Sequence, residues 1–570
     1  MTENSNIKLR SANLAWSEAL AASATIEQLP QRLLADIILE RATSDGDLLA
    51  LLSDTKSFTF SELAARIYDY QAWAMAQGLV KGSCVGLVMG NRPDMVAAWL
   101  GLSRAGVVVA LLNPSLKHEA LAHAVALAAP SHLVVDPAFE SAIHDAGISI
   151  AICAAPERGK ARPSSCGVSI KDTALLIYTS GTTGLPKAAK VSHARVLNWA
   201  LWFMGLLGNT KTDRIYNCLP LYHSVGGIVA VAATLAAGGS TVIAPKFSAS
   251  QFWPDIRRWQ CTQFQYIGEL CRYLLAQPVS DLEGGHQLRL AVGNGLRGDI
   301  GVAFQERFAI PQIIEFYAAT EGTFSLYNVQ GPMGSIGRIP PFLRHRFKIA
   351  LVQHDVETGL PKRNSDGTCA PVATGEVGEA IGYLPTDEAF EGYTGPDESE
   401  RKILRDVFER GDRWFRTGDL MRMDKAGNYF FVDRIGDTYR WKGENVSTLE
   451  VATVIVKAAG VKDAVVYGVQ VPGADGRAGM ACLETTDDFD IERFHSVASA
   501  ALPNYAVPVF LRLANKTVVT ETFKHKKNDL AQAGFDPSFI ADRLFVRIDG
   551  VYRRLDDEMY RAIISEQVKL

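Results

Sequence analysis

The chain has 570 residues, 48% hydrophobic and 9% aromatic, which allows several large cores and excludes an intrinsically disordered chain. A formal net charge of −4 provides no overall attraction to nucleic acid. Eight scattered cysteines without Cys-x-x-Cys spacing exclude the usual zinc and disulfide frameworks, and predict a reducing, cytoplasmic compartment.

Residues 1–45 read as helical and peripheral, and no basic segment followed by an apolar run marks a signal peptide. Residues 48–53 and 57–60 suggest a hairpin, followed by a helix over 61–77. A strand at 84–89, a helix at 92–105 and a strand at 107–112 predict a parallel sheet with helices on its faces. The rhythm continues with strands at 133–135, 148–152 and 241–244 and a basic loop at 156–167. Residues 225–245 carry no charge before Lys246 and are long enough to span a bilayer. Gly238 and Gly239, followed by Ser-Thr-Val-Ile-Ala, favour helix, tight turn and buried strand instead. After Gly337, short apolar segments alternate with turns, predicting a β-rich subdomain. Beyond 436 a mixed pattern predicts a separate domain, with helices at 448–459 and 491–502 and strands at 464–467 and 480–483. The fold class expected is therefore α/β. A large N-terminal domain (1–435) of helix-flanked parallel sheets plus a β-rich subdomain precedes a small, mobile α+β C-terminal domain (436–570).

One stretch organises the rest. The apolar run at 174–178 delivers the chain to Thr179, Ser180, Gly181, Thr182, Thr183 and Gly184, with Lys187 just beyond. Glycines permit close backbone approach, hydroxyls donate hydrogen bonds, and a lysine supplies a point charge, so the loop suits a phosphate-rich ligand. Lys187 follows Leu-Pro rather than Gly, so this is not the Walker pattern. Gly293, Asn294 and Gly295 follow a strand, at the end of a parallel sheet where ligands gather. Near the end, Lys524 lies in a basic run that by itself reads as a solvated face.

The order Tyr178-Thr-Ser-Gly-Thr-Thr-Gly-Leu-Pro-Lys resembles the signature loop of the adenylate-forming superfamily, which includes acyl-CoA synthetases. The resemblance implies that Tyr178 and the loop through Gly184 hold ATP, with Thr182 and Glu321 serving Mg²⁺. It places His223 beside the reacting acyl group, with Gly226 and Gly227 leaving room for a chain. Gly293, Asn294 and Gly295 would wall the adenine pocket. Phe316, Tyr317, Ala318, Ala319 and Thr320 would be the companion segment, Tyr317 stacking on the base and Thr320 bonding the α-phosphate. Asp419 and Arg434 would serve the ribose and phosphates, and Gly436 the hinge, where most members carry Asp or Lys. Gly443 and Asn445 would face the site after rotation, and Lys524 would stabilise the adenylation transition state. Here Thr-Phe-Lys replaces the usual Thr-Gly-Lys, and Ala318 replaces the commoner Gly.

Three stretches are similar to one branch, the fatty acid transport protein and very-long-chain acyl-CoA synthetase family: Asp433-Arg-Ile-Gly-Asp-Thr-Tyr-Arg-Trp-Lys, Tyr266-Ile-Gly-Glu-Leu-Cys-Arg-Tyr-Leu and Thr-Phe-Lys-His. The implied function is an ATP-dependent fatty acid–CoA ligase acting through an acyl-adenylate, with ATP, Mg²⁺ and coenzyme A. A CoA ligase for bile-acid-like or carnitine-like acids, and a fatty-acid uptake protein, are the alternatives. Expected partners are a fatty acid and no nucleic acid; peripheral contact with the inner face of a membrane stays open, as do oligomeric state and chain-length preference.

Overall fold

The structure, a computed structural model, describes residues 9–164, 166–180, 186–355, 358–386, 389–442, 444–474, 476–516, 527–568 and 570. Its contacts divide into two compact units, one of residues 1–347 and 384–403, the other of residues 348–383 and 404–570.

Among its described residues the first unit contains two sheets. In the six-stranded sheet, Ala151–Cys153, His132–Val135, Cys84–Val88, Val108–Leu111 and Thr173–Ser180 run parallel in that order, and Pro186–Ser192 closes it antiparallel. Parallel neighbours need a crossover, and Pro93–Arg104 provides one. That helix has Pro93 in its first turn and every residue buried, as its Ala-, Leu- and Trp-rich sequence dictates. The strand expected at 148–152 begins later, at Ala151. The eight-stranded sheet has the order Ser325–Asn328, Gln312–Ala318, Leu290–Asn294, Gln263–Ile267, Arg214–Asn217, Ser240–Ile243, Leu49–Leu52 and Phe58–Thr59. Only its outermost pairs are antiparallel. The expected hairpin near residue 50 is one of them. Thr59 then caps the helix Phe60–Ala76 in a capping box with Glu62.

Residues 225–245 form helix, turn and strand: a π-helical stretch Val225–Ala230, the helix Val231–Ala236, Gly238 at φ +85, and a fully buried Ser240–Ile243. Among the described residues no helix is long and apolar enough to cross a membrane. The N-terminal segment departs from expectation. It is helical at Ala12–Ser23, yet it is not peripheral, because Trp16 is 1% exposed and packs edge-on against Trp202, Tyr327 and Phe347. A helix with few charges reads as peripheral only while its aromatic partners, hundreds of residues away, are unknown.

In the second unit, Ile349–Val352, Val377–Tyr383, Arg413–Met423 and Tyr429–Arg434 pair antiparallel around a small core that includes Val352, Ile381 and Trp414. A separate core follows, built on the sheet Val461–Gln470, Arg477–Thr485, Phe510–Ala514, Arg543–Ile548 and Val551–Arg554. Its one parallel pair is Arg477–Thr485 with Phe510–Ala514, spanned by the helix Ile491–Ala501.

Candidate active site

The strands Thr173–Ser180 and Pro186–Ser192 form the arms of a hairpin, with Thr179 opposite Lys187. Gly181, Thr182, Thr183 and Gly184, at its tip, lie outside the described residues. The continuation of the second arm is a helix, His193–Leu207, capped by Ser192, whose hydroxyl accepts from the Arg195 N–H at 3.1 Å. The Tyr178 side chain is buried, and its hydroxyl donates to the Ala124 carbonyl at 2.7 Å, so it anchors the arm to the core. Strand alternation explains this, since Tyr178 shares its face with Leu176 and joins the same core cluster.

A third segment docks on the hairpin. The Lys190 N–H donates to the Gly392 carbonyl at 3.0 Å, and the Thr394 N–H donates to the Ala188 carbonyl at 2.9 Å. This places Tyr393 between two charges. Its hydroxyl donates to Glu321 Oε1 at 2.6 Å, and Lys187 Nζ lies 5.9 Å from its ring centre. Thr179 hydrogen-bonds the same phenol, whose pKa is pushed up by burial and by the Glu321 charge. Next to it, Glu391 accepts from the Ser192 N–H at 2.6 Å, the Ser192 hydroxyl at 2.8 Å and Arg195 Nε at 3.1 Å. The Arg195 guanidinium then donates to the carbonyls of Thr320 and Gly322, at 3.0 and 2.9 Å. The turn carrying Thr320 and Glu321 is thereby clamped to the helix that follows the hairpin. Ser224 Oγ and Thr320 Oγ1 are 3.2 Å apart, which brings the residue after His223 to the same place.

The carboxyl ends of Gln263–Ile267, Leu290–Asn294 and Gln312–Ala318 lie side by side. Here the strand ends and the segments that follow them meet backbone to backbone. A Cβ on Gly293 would stand 2.2 Å from the Tyr266 carbonyl oxygen, and one on Gly268 would stand 1.9 Å from that of Gly295. Glu315 holds this junction. Its Oε1 accepts from the N–H groups of Gly295 and Leu296 at 2.5 and 3.2 Å, and Tyr266 meets Oε2 at 2.6 Å. Full burial pushes the Glu315 carboxyl up to about 8, against the pull of those donors. The Asn294 side-chain oxygen is buried with no partner among the described residues, an acceptor awaiting a donor.

Further along Gln312–Ala318, Tyr317 faces Phe324 at 5.8 Å, and Ala318 pairs with Ser325. Ala319 follows, and its carbonyl accepts from the Gly322 N–H at 2.9 Å, closing the turn that carries Thr320 and Glu321. Phe316, 2% exposed, packs on Phe203 at 4.9 Å and belongs to the core. Side chains at Gly226 and Gly227 would strike the carbonyl oxygens of Pro220 and Leu221 at 2.4 and 2.1 Å, so these glycines allow close packing of the helix on the preceding turn. His223 lies in that turn, its ring 4.6 Å from that of Tyr222.

In the second unit, Asp419 and Arg434 sit opposite one another on paired strands, with Arg434 Nε 3.4 Å from Asp419 Oδ1. The neighbouring Asp433 caps the helix Thr448–Ile455, its Oδ2 accepting from the Thr448 N–H at 2.6 Å and hydroxyl at 2.8 Å. Lys527 donates to Asp437 at 3.1 Å and to the Thr448 hydroxyl at 2.6 Å. Among the described residues a Cβ on Gly436 would meet nothing within 4 Å. Asn445 is exposed on the strand Glu444–Val446. Gly443 and Lys524 lie outside the described residues.

Arg195, Ser224, Glu391 and Tyr393 escaped the sequence reading. Ser192 and Arg195 stand at helix-capping spacing, a usable signal, but Glu391 is 199 residues from Ser192 and has no local one.

The family model described as AMP-binding enzyme matches residues 38–376. Long-chain fatty acid transport protein 6 of Mus musculus is 41% identical over 521 residues, covering 86% of this chain and 84% of its own. Long-chain fatty acid transport protein 3 of Homo sapiens is 40% identical over 521 residues, covering 86% and 76%. Among solved structures, ATP-bound MatB from Rhodopseudomonas palustris superposes with a TM-score of 0.74 at 22% identity, covering 87% of this chain and 98% of that one. The anthranilate CoA ligase AuaEII with anthranoyl-AMP gives 0.75 at 21%, covering 89% and 98%. These superpositions show the shared fold. The chain belongs to the AMP-binding enzymes and, within them, to the family of the long-chain fatty acid transport proteins.

Proposed function

We propose that this protein is an ATP-dependent ligase that activates a long-chain or very-long-chain fatty acid as its acyl-adenylate and passes the acyl group to the thiol of coenzyme A. The observation that carries this is the convergence of Lys187, Thr179, Tyr393, Glu321 and Thr320 at the mouth of the hairpin, beside Ser224 and His223. The names of the relatives supply the class of acid.

In the first half-reaction the fatty acid carboxylate attacks the α-phosphorus of ATP, a new P–O bond forms, and pyrophosphate leaves. Two anions meet in that step, so cations and fixed donors must offset the charge. Lys187 and Lys524 supply the cations, and the Thr320 hydroxyl donates to the α-phosphate. The buried Asn294 oxygen accepts from the exocyclic amine of adenine, Tyr317 stacks on the base, and Asp419 and Arg434 serve ribose and phosphate. The donors present fit Mg²⁺. Glu321 offers one hard carboxylate with Oε1 already held by Tyr393, and among the described residues no cluster of three His, Cys, Asp or Glu builds a protein cage. One carboxylate plus substrate phosphates is how such sites hold this ion. Bound there with Thr182, the ion would neutralise charge on the phosphates.

In the second half-reaction the C-terminal domain, 436–570, turns about Gly436 and withdraws Lys524, and Gly443 and Asn445 line the path of the thiol. The thiol attacks the acyl carbonyl and AMP leaves. Gly436 suits a hinge because glycine tolerates large backbone changes, and among the described residues no neighbour crowds it. We propose a cytoplasmic location, where thioester formation would trap incoming fatty acid.

The test is ATP–pyrophosphate exchange and CoA consumption across saturated acids from short to very long. Exchange that requires a long-chain acid, with AMP release coupled to CoA, is the expected result. No exchange with any acid would overturn the ligase assignment in favour of a binding role in uptake.

A further inference from the structure

Tyr393 is 5% exposed and touches both charges of the phosphate end of the site. Its position is set by the backbone on every side. Gly392 and Thr394 pair with Lys190 and Ala188 of the hairpin, and the Tyr393 N–H donates to Ser399 Oγ at 2.9 Å. Gly392 itself sits at φ +72, a conformation that favours glycine. The pairing fixes the Tyr393 backbone and burial restricts its ring, whereas Glu321, on a tight turn, has a long side chain with several rotamers. We propose that Tyr393 is a positioning residue for adenylation. Its hydroxyl fixes the Glu321 carboxylate for the divalent cation, and its strand pairing ties that carboxylate to the hairpin arm bearing Lys187. Tyr393 then links the anchor for phosphate and the anchor for the cation directly, beside the Arg195 clamp on the turn. This rests on the ligase assignment above.

A hydrogen bond from a neutral donor to a carboxylate that also meets a metal orients the ligand, and losing such a partner typically weakens metal affinity about 10- to 100-fold. Tyr393→Phe removes the donor and keeps the ring, the strand pairing and the Lys187 contact. In the full chain with ATP present, Mn²⁺ binding followed by electron paramagnetic resonance should weaken about tenfold in this variant. The Mg²⁺ concentration for half-maximal ATP–pyrophosphate exchange should rise by a similar factor. Saturating Mg²⁺ should recover most of the rate, with the KM for fatty acid and the thermal midpoint unchanged. Wild-type Mn²⁺ affinity in the variant, or a rate loss that Mg²⁺ does not recover, would overturn the proposal. A wild-type protein that neither binds Mn²⁺ with ATP nor exchanges pyrophosphate would instead sink the ligase assignment itself, so the two failures are separable.

Discussion

Glu315 makes the stability of the first unit depend on pH in a direction opposite to that of most carboxylates. Burial raises its pKa from 4.5 to about 8. A group whose folded pKa is raised contributes stability fully below its unfolded pKa and loses it as pH climbs toward the folded value. The neutral form also suits the hydrogen bonds. Tyr266 has one proton to give and two acceptors, the Ile314 carbonyl at 3.2 Å and Glu315 Oε2 at 2.6 Å. A protonated Glu315 donates to Tyr266, Tyr266 donates to Ile314, and Oε1 keeps the N–H groups of Gly295 and Leu296. Tyr266 and Cys271, the titratable neighbours, are pushed well above their ordinary values by the same burial and stay neutral in this window. At ~1.4 kcal/mol per unit, ionising Glu315 between pH 6 and pH 9 costs roughly 3 kcal/mol. Glu315→Gln mimics the neutral carboxyl and cannot titrate. Thermal unfolding of the ligand-free full chain at both pH values should therefore show wild type falling by a few degrees more than the variant over this range. Parallel pH dependences for the two proteins would refute the reasoning.

Three further outcomes follow. Lys524→Ala should abolish acid-dependent pyrophosphate exchange while leaving thioester formation from supplied acyl-adenylate largely intact; equal loss of both steps would contradict the separation of roles. Gly436→Pro should do the reverse, sparing exchange and blocking CoA transfer, because proline fixes the backbone torsion a hinge must change; single-turnover measurement of each half-reaction distinguishes them. Arg195→Lys keeps the charge but cannot span Glu391 and the carbonyls of Thr320 and Gly322 together, so the adenylation kcat should fall on the order of 10- to 100-fold, the fatty-acid KM holding. A wild-type kcat in that variant would show the clamp to be dispensable.

Much of the fold and the family were legible in the sequence, because both rest on local rules. Apolar runs punctuated by glycines marked the strands at 84–88, 108–111 and 240–243, and the helix between the first two. The hydroxyl- and glycine-rich order after Tyr178 marked the end of a strand and identified the family, while the second arm of the hairpin appeared only in the structure. What the tertiary structure alone decided is which side chains of those motifs face inward and what holds the rest in place. Tyr178 and Phe316 stand in signature segments yet point into cores, since a strand end alternates its faces whatever motif it carries. Glycines 226 and 227 are demanded by a turn folded back on them. The clamp of Glu391, Tyr393 and Arg195 joins segments too far apart in the chain for any spacing to betray them. Chemistry that depends on neighbours in sequence is written locally, whereas positioning depends on neighbours in space, and only folding supplies those.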